Sequence, residues 1–198
     1  MIDWLIHLDH TIFLFLNGLH TDFLDPLFFW GTKTLVWTPF YLFLLYLVIR
    51  KFGWKTIIVL LTIALMITIS DQLSNLFKEW VSRPRPSHEP LLSGVHHVNG
   101  YKGGAYGFYS AHASSNMAIA IFLTLVLTRP FRYFASIMFF YALFMSYTRI
   151  YLGVHYPGDI LAGWLMGGTL GLIFGRLLMT VIAKFPGKKP QSPENSRI

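Results

Sequence analysis

Apolar runs of about 20 residues recur along this chain, and nothing else in it restricts the possible folds so strongly. A helix of that length rises about 30 Å at 1.5 Å per residue, which matches the hydrocarbon core of a bilayer. Composition agrees, since 54% of the 198 residues are hydrophobic and only 13% are charged, with a mean hydropathy of +0.51. A soluble globular domain carries about 25% charge. The solvent for this fold is therefore lipid. The expected class is all-α, a polytopic membrane helix bundle of about five transmembrane helices plus an N-terminal amphipathic interfacial helix.

Residues 2–19 mix Ile2, Leu5, Ile12 and Leu16 with Asp3, His7, Asp9, His10 and Asn17, a pattern that suits a helix lying on a membrane surface. Asp22 and Asp25-Pro26 mark a new helix start. Spans are expected at 26–49, 54–77, 111–127, 131–147 and 158–182. Lys33 and Pro39 blur the first of these: either Lys33 snorkels, or the span begins near Thr34. Residues 1–183 are expected to form one membrane-embedded domain. The polar, Pro-rich stretch 184–198 reads as a disordered cytoplasmic tail. Met1-Ile2-Asp3-Trp4 lacks the basic region of a cleavable signal peptide, so the N-terminus is expected to be retained.

The formal charge of +7 would invite a nucleic-acid reading in a soluble protein. Here the basic residues stand at the ends of apolar runs or within polar loop motifs, so no nucleic-acid partner is expected. Arg50, Lys51 and Lys55, then Arg129 and Arg132, then Lys184, Lys188 and Lys189 fall on one side, which the positive-inside rule makes cytoplasmic. The N-terminal helix and the loops 78–110 and 149–159 then share the opposite face. A compact chain without an added soluble domain leans toward a bacterial inner membrane, with that face toward the periplasm or exterior. With no cysteine, thiolate metal sites and disulfides are absent.

Those two loops carry nearly all the chemistry. Lys78, Arg85 and Arg149 converge on one membrane face and make an anion clamp, guanidinium supplying planar paired donors and ammonium a point charge suited to phosphate. Cations alone bind phosphate without cleaving it. Two loop histidines supply the missing nucleophile and proton donor. His155 has Asp159 four residues on, close enough to turn a carboxylate to the imidazole and leave the other ring nitrogen nucleophilic. His112 lies at the opening of a span beside Ser110 and Ala111, where free backbone N–H groups can cradle phosphate oxygens, and is placed to protonate the leaving oxygen.

Three segments in order resemble the signature of the type 2 phosphatidic acid phosphatase superfamily, which includes membrane lipid phosphatases and soluble vanadium haloperoxidases. That signature is Lys, six residues, Arg-Pro; then Pro-Ser-Gly-His; then Ser-Arg, five residues, His, three residues, Asp. Lys78, Arg85, Pro86, Ser110, His112, Arg149, His155 and Asp159 match it, while Tyr109, Ala111 and Thr148 stand where the family has Pro, Gly and Ser. The resemblance implies attack by His155 to form a phosphohistidine, proton donation by His112, and hydrolysis by water without a metal or other cofactor. It also implies a phosphorylated membrane lipid as substrate: undecaprenyl diphosphate, phosphatidylglycerol phosphate, phosphatidic acid or lipid A. Two rival classes use the same residues, a non-catalytic lipid-phosphate binder or transporter and a vanadate-dependent peroxidase. The absence of a soluble body argues against the peroxidase.

Other polar residues have plainer readings. Asp71, inside the second span, is expected to support the site. Arg83 is either a headgroup contact or a solvated surface arginine. His96 and His97 are adjacent and have no carboxylate cluster, so they make a poor metal site. Tyr106, Phe108 and Tyr109 are aromatic residues suited to a lipid entrance.

Overall fold

The computed structural model of the protein describes residues 2–90, 92–128 and 130–184. The tail expected after residue 184, together with Arg129, Lys188 and Lys189, lies outside them. Seven α-helices follow in order among the described residues: α1 (Ile2–Asn17), α2 (Leu24–Gly31), α3 (Thr38–Phe52), α4 (Thr56–Val81), α5 (Ala111–Leu127), α6 (Phe134–Tyr151) and α7 (Pro157–Lys184). No β-strand occurs among those residues, and a single isolated bridge joins Pro84 to Tyr106. The bundle is all-α, as hydrocarbon demands: a helix bonds its own backbone within one segment.

Local chemistry sets the helix ends. Gly53, at φ +53°, closes α3 in a conformation that costs glycine little, and Arg50 and Lys51 face the negative end of that helix. Ser110 caps α5 by accepting from the Ala113 N–H. Pro157 opens α7 where its missing N–H costs nothing, and Asp159 in the first turn suits the positive end of the helix dipole.

α5 sits at the centre, packed on α7, α6 and α4. A stripe of small residues sets its approach to α7. A Cβ added at Gly163, Gly167 or Gly171 would lie 2.7, 2.0 or 2.6 Å from the carbonyl oxygens of Ser110, Ser114 or Ala118. The four-residue spacing puts these glycines on one helix face, so the α5 backbone rests on the α7 backbone. That contact brings the N-termini of α5 and α7 to one end of the bundle. The outer surface stays apolar, with Ile57, Leu61, Leu165 and Leu172 exposed, as lipid contact requires. α1 exposes Trp4, Leu5 and Phe15 while burying Phe13 and Asn17.

Several boundaries differ from those expected. Of the two starts offered for the first span, the structure follows the one near Thr34 and not residue 26: α2 ends at Gly31, Lys33 is extended at φ −83° and ψ 125°, and a 3-10 turn (Thr34–Trp37) leads into α3 at Thr38. Pro39 explains the restart, since it lacks an N–H and is tolerated only in a helix's first turn. α4 runs past residue 77 to Val81, and α6 past residue 147 to Tyr151. Lys78 and Arg149 therefore stand on the last turns of helices and not in loops.

Candidate active site

One end of the bundle encloses a cavity of about 470 Å³, with Lys78, Arg85, Ala111, His112, Arg149 and His155 in its wall. They come from five different local structures. Lys78 ends α4, Arg85 follows the left-handed turn at Ser82, Ala111 and His112 open α5, Arg149 closes α6, and His155 lies between α6 and α7.

His155 is only 2% exposed, and Asp159 is fully buried. The imidazole Nδ1 lies 3.3 Å from Asp159 Oδ2, which also accepts from the Tyr156 N–H at 3.0 Å. Nδ1 therefore carries the proton, and the second nitrogen is left with a free lone pair. Burial lowers the His155 pKa from 6.5 to about 4; Asp159 opposes the shift, and Arg85 and Arg149 reinforce it. Its neutral form prevails at physiological pH.

The other oxygen of Asp159 has a partner that sequence reasoning did not assign. Arg83 Nη1 donates to Asp159 Oδ1 at 3.0 Å, and Arg83 Nη2 donates to Asp9 Oδ2 at 2.7 Å. Asp9 Oδ1 in turn accepts from the Gly158 N–H at 2.8 Å, and a Cβ at Gly158 would meet Asp9 Oδ2 at the same distance. The Arg83 guanidinium also lies over the Tyr156 ring, 4.1 Å from its centroid. Both readings offered for Arg83, headgroup contact and solvated surface residue, are thus replaced by a half-buried bridge between two carboxylates. Arg83-Pro84-Arg85-Pro86 contains the only sequence hint, a doubled Arg-Pro; the Asp9 contact spans 74 residues and has no local signal.

Arg149 is 3% exposed and held by Thr32, which accepts from Nη1 at 2.7 Å, and by the Tyr101 hydroxyl, which accepts from Nη2 at 3.1 Å. Its Nε is buried with no hydrogen-bond partner among the described residues. Burial alone would raise the Tyr101 pKa, but the Arg149 cation overrides that and lowers it. Arg85 Nε donates to the Tyr106 carbonyl at 2.9 Å, and the remainder of its guanidinium borders Gly103, where a Cβ would meet Nη1 at 2.7 Å. Burial and the Arg149 charge pull the Arg85 pKa below its ordinary value. Asn75 Oδ1 accepts from Lys78 Nζ at 3.3 Å, and Asp71, also in the wall, accepts from Ser115 Oγ at 3.3 Å.

Ser110 is not brought to the wall. It is fully buried, and its hydroxyl caps α5 while its N–H donates to the Asp159 carbonyl at 3.1 Å, tying the starts of α5 and α7 together. Thr148 likewise spends its hydroxyl on the Met145 carbonyl, 2.7 Å away within α6. Tyr109 is 1% exposed and packs on Phe77, so it lines no lipid entrance. His96 bonds Asp25 and stacks on His20. Among the described residues no three His, Asp or Glu side chains gather as a metal-ligand set.

The model of the PAP2 superfamily matches residues 59–183. The lipid A 4'-phosphatase of Bacteroides thetaiotaomicron is 37% identical over 96% of this chain and 85% of its own length. That of Porphyromonas gingivalis is 33% identical over 91% of this chain and 75% of its own. Among solved structures, Aquifex aeolicus LpxE superposes with a TM-score of 0.63 at 25% identity, over 84% of this chain and 93% of that one.

Proposed function

The chain belongs to the PAP2 superfamily and is a membrane lipid phosphatase, and from that premise we propose that it removes the 4'-phosphate of a lipid A-type glycolipid through a phosphohistidine on His155. The observation that carries the substrate is the 37% identity with a lipid A 4'-phosphatase over nearly the whole chain.

In this reading the non-bridging oxygens of the phosphate lie among Lys78, Arg85, Arg149 and the free N–H groups of Ala111 and His112. The unprotonated nitrogen of His155 attacks phosphorus. The bond from phosphorus to the sugar oxygen breaks, and His112 delivers its proton to that oxygen. Water then attacks the phosphohistidine, His112 takes the water's proton, and inorganic phosphate leaves with His155 restored. Asp159 holds the tautomer and stabilises the charge that develops on the ring. The polar cavity at one end of an apolar bundle supports a substrate whose acyl chains stay in the bilayer. The basic residues Arg50, Lys51 and Lys55 at the α3–α4 turn support a cytoplasmic location for that turn and, in this reading, a cavity that opens on the periplasmic side of a bacterial inner membrane.

The test is phosphate release by detergent-purified protein in the presence of chelator, across lipid A, undecaprenyl diphosphate, phosphatidylglycerol phosphate and phosphatidic acid. Wild type should release phosphate from lipid A with the highest kcat/KM and form an acid-labile phosphoenzyme, and His155→Ala should do neither. Turnover by His155→Ala near the wild-type rate would sink the mechanism; preference for another lipid would overturn the substrate.

A further inference from the structure

We propose that the smaller cavity beside the catalytic one is a leaving-group subsite, in which Lys33 binds a second phosphate of the substrate headgroup. This rests on the phosphatase reading, and in particular on His112 as the proton donor.

The second cavity encloses about 220 Å³ and shares Tyr101, His112 and Arg149 with the first. Its remaining wall comes from the break between α2 and α3, chiefly Phe29, Thr32, Lys33 and Thr34. A group that gives its proton to the leaving oxygen stands at the boundary between the phosphate and the rest of the substrate. Since His112 lines both cavities, a phosphate clamped in the first directs the headgroup beyond the scissile bond into the second.

That second cavity carries charge it does not need for folding. Lys33 is the only charged residue between Asp25 and Arg50, at the edge of an apolar segment where a cation is costly without a use. No carboxylate pairs with it among the described residues; its ammonium lies 4.8 Å from the centroid of the Phe29 ring. Its charge is close enough to help lower the Tyr101 pKa, which places it beside the residues shared by the two cavities. Thr32, the neighbour of Lys33, accepts from Arg149 Nη1 at 2.7 Å and so fixes this segment to the phosphate clamp. The helix break that interrupts the first span thus delivers one unpaired cation to the far side of the proton donor.

An ammonium is a point charge suited to phosphate oxygens. Two chemistries present a second phosphate beyond the scissile bond: a glycolipid phosphorylated at a second sugar position, and a lipid diphosphate whose inner phosphate is the leaving group. Two matched pairs separate them: bisphosphorylated lipid A against its 4'-monophosphate, and prenyl diphosphate against prenyl monophosphate.

The measurement is kcat/KM on each pair for purified wild type, Lys33→Met and Lys33→Arg. Wild type should favour the doubly phosphorylated member of one pair by about tenfold through KM, the size of one charge-assisted hydrogen bond. Lys33→Met should collapse that ratio toward unity and Lys33→Arg should restore most of it. The pair showing the effect identifies the source of the phosphate. Equal slowing of both members by Lys33→Met, or an unchanged ratio, would overturn the subsite while leaving the phosphatase reading intact. No release by wild type from either pair would remove both.

Discussion

Asp9 should control turnover although it lies outside the catalytic cavity. Substituting asparagine keeps an oxygen at the Oδ1 position, so the Gly158 N–H retains its acceptor, but replaces the charged oxygen that accepts from Arg83 Nη2 at 2.7 Å with an uncharged NH2 donor. The Asp9 and Arg83 side chains are 14% and 21% exposed, so solvent screens the pair weakly. A charge-assisted hydrogen bond of this kind contributes about 1.5–3 kcal/mol. If that energy is spent on fixing Arg83 against Asp159, its loss lowers kcat by about 10-fold to about 150-fold, at about 1.4 kcal/mol per decade. KM should barely move, because Asp9 touches none of Lys78, Arg85 or Arg149. The assay is steady-state phosphate release by Asp9→Asn, Asp159→Asn and the double variant. Asp9→Asn should add little once Asp159→Asn has removed the group it positions. Full kcat in Asp9→Asn, or a rise in KM alone, would show that the contact merely docks α1.

Two further outcomes follow from the geometry. Because the His155 pKa is depressed to about 4 from 6.5, the unfolded chain binds a proton here that the folded chain refuses, and this contribution to stability is lost as pH falls from about 6.5 toward 4. His155→Gln lacks it, so its melting temperature should gain on wild type over that interval; a constant difference would refute the buried neutral imidazole, since His10 and His97, also lowered, are common to both proteins. Gly103→Ala should cost about 1–2 kcal/mol for a side chain at φ +68° and displace the Arg85 guanidinium, raising KM, whereas Gly168→Ala, whose added methyl meets nothing within 4 Å, should match wild type in a phosphate-release assay.

The all-α membrane bundle was legible because lipid leaves few alternatives and the apolar runs have the length of a bilayer. Helix ends were less so. Hydropathy falls at Lys78 and at Thr148-Arg149, yet α4 and α6 continue through both, because a charge facing a polar cavity does not terminate a helix; burial in lipid and helical conformation are different conditions. Motif residues spaced within one segment, such as His155 and Asp159, could be paired by period alone, since four residues make about one turn. Ser110 shows the limit of that reasoning: its place at the opening of α5 was visible, but its hydroxyl can serve either a ligand or the helix, and only packing settles that it caps Ala113.

Asp9, Arg83 and Thr32 were hidden for a different reason. Each acts across a tertiary gap of at least 74 residues, where spacing says nothing. The glycines at 163, 167 and 171 lie between these cases: their period marks a face for close approach but does not name α5 as its partner. Yet this contact assembles the site. With α5 resting on the α7 backbone, the Ser110 N–H reaches the Asp159 carbonyl, and His112 and His155 open onto one cavity. A bulky residue at Gly167 would have to part the two helices, because even a Cβ there lies 2.0 Å from the Ser114 oxygen. Packing in the apolar middle of the bundle and the geometry of the candidate site at its polar end are therefore coupled through one helix pair, and neither can be altered there alone.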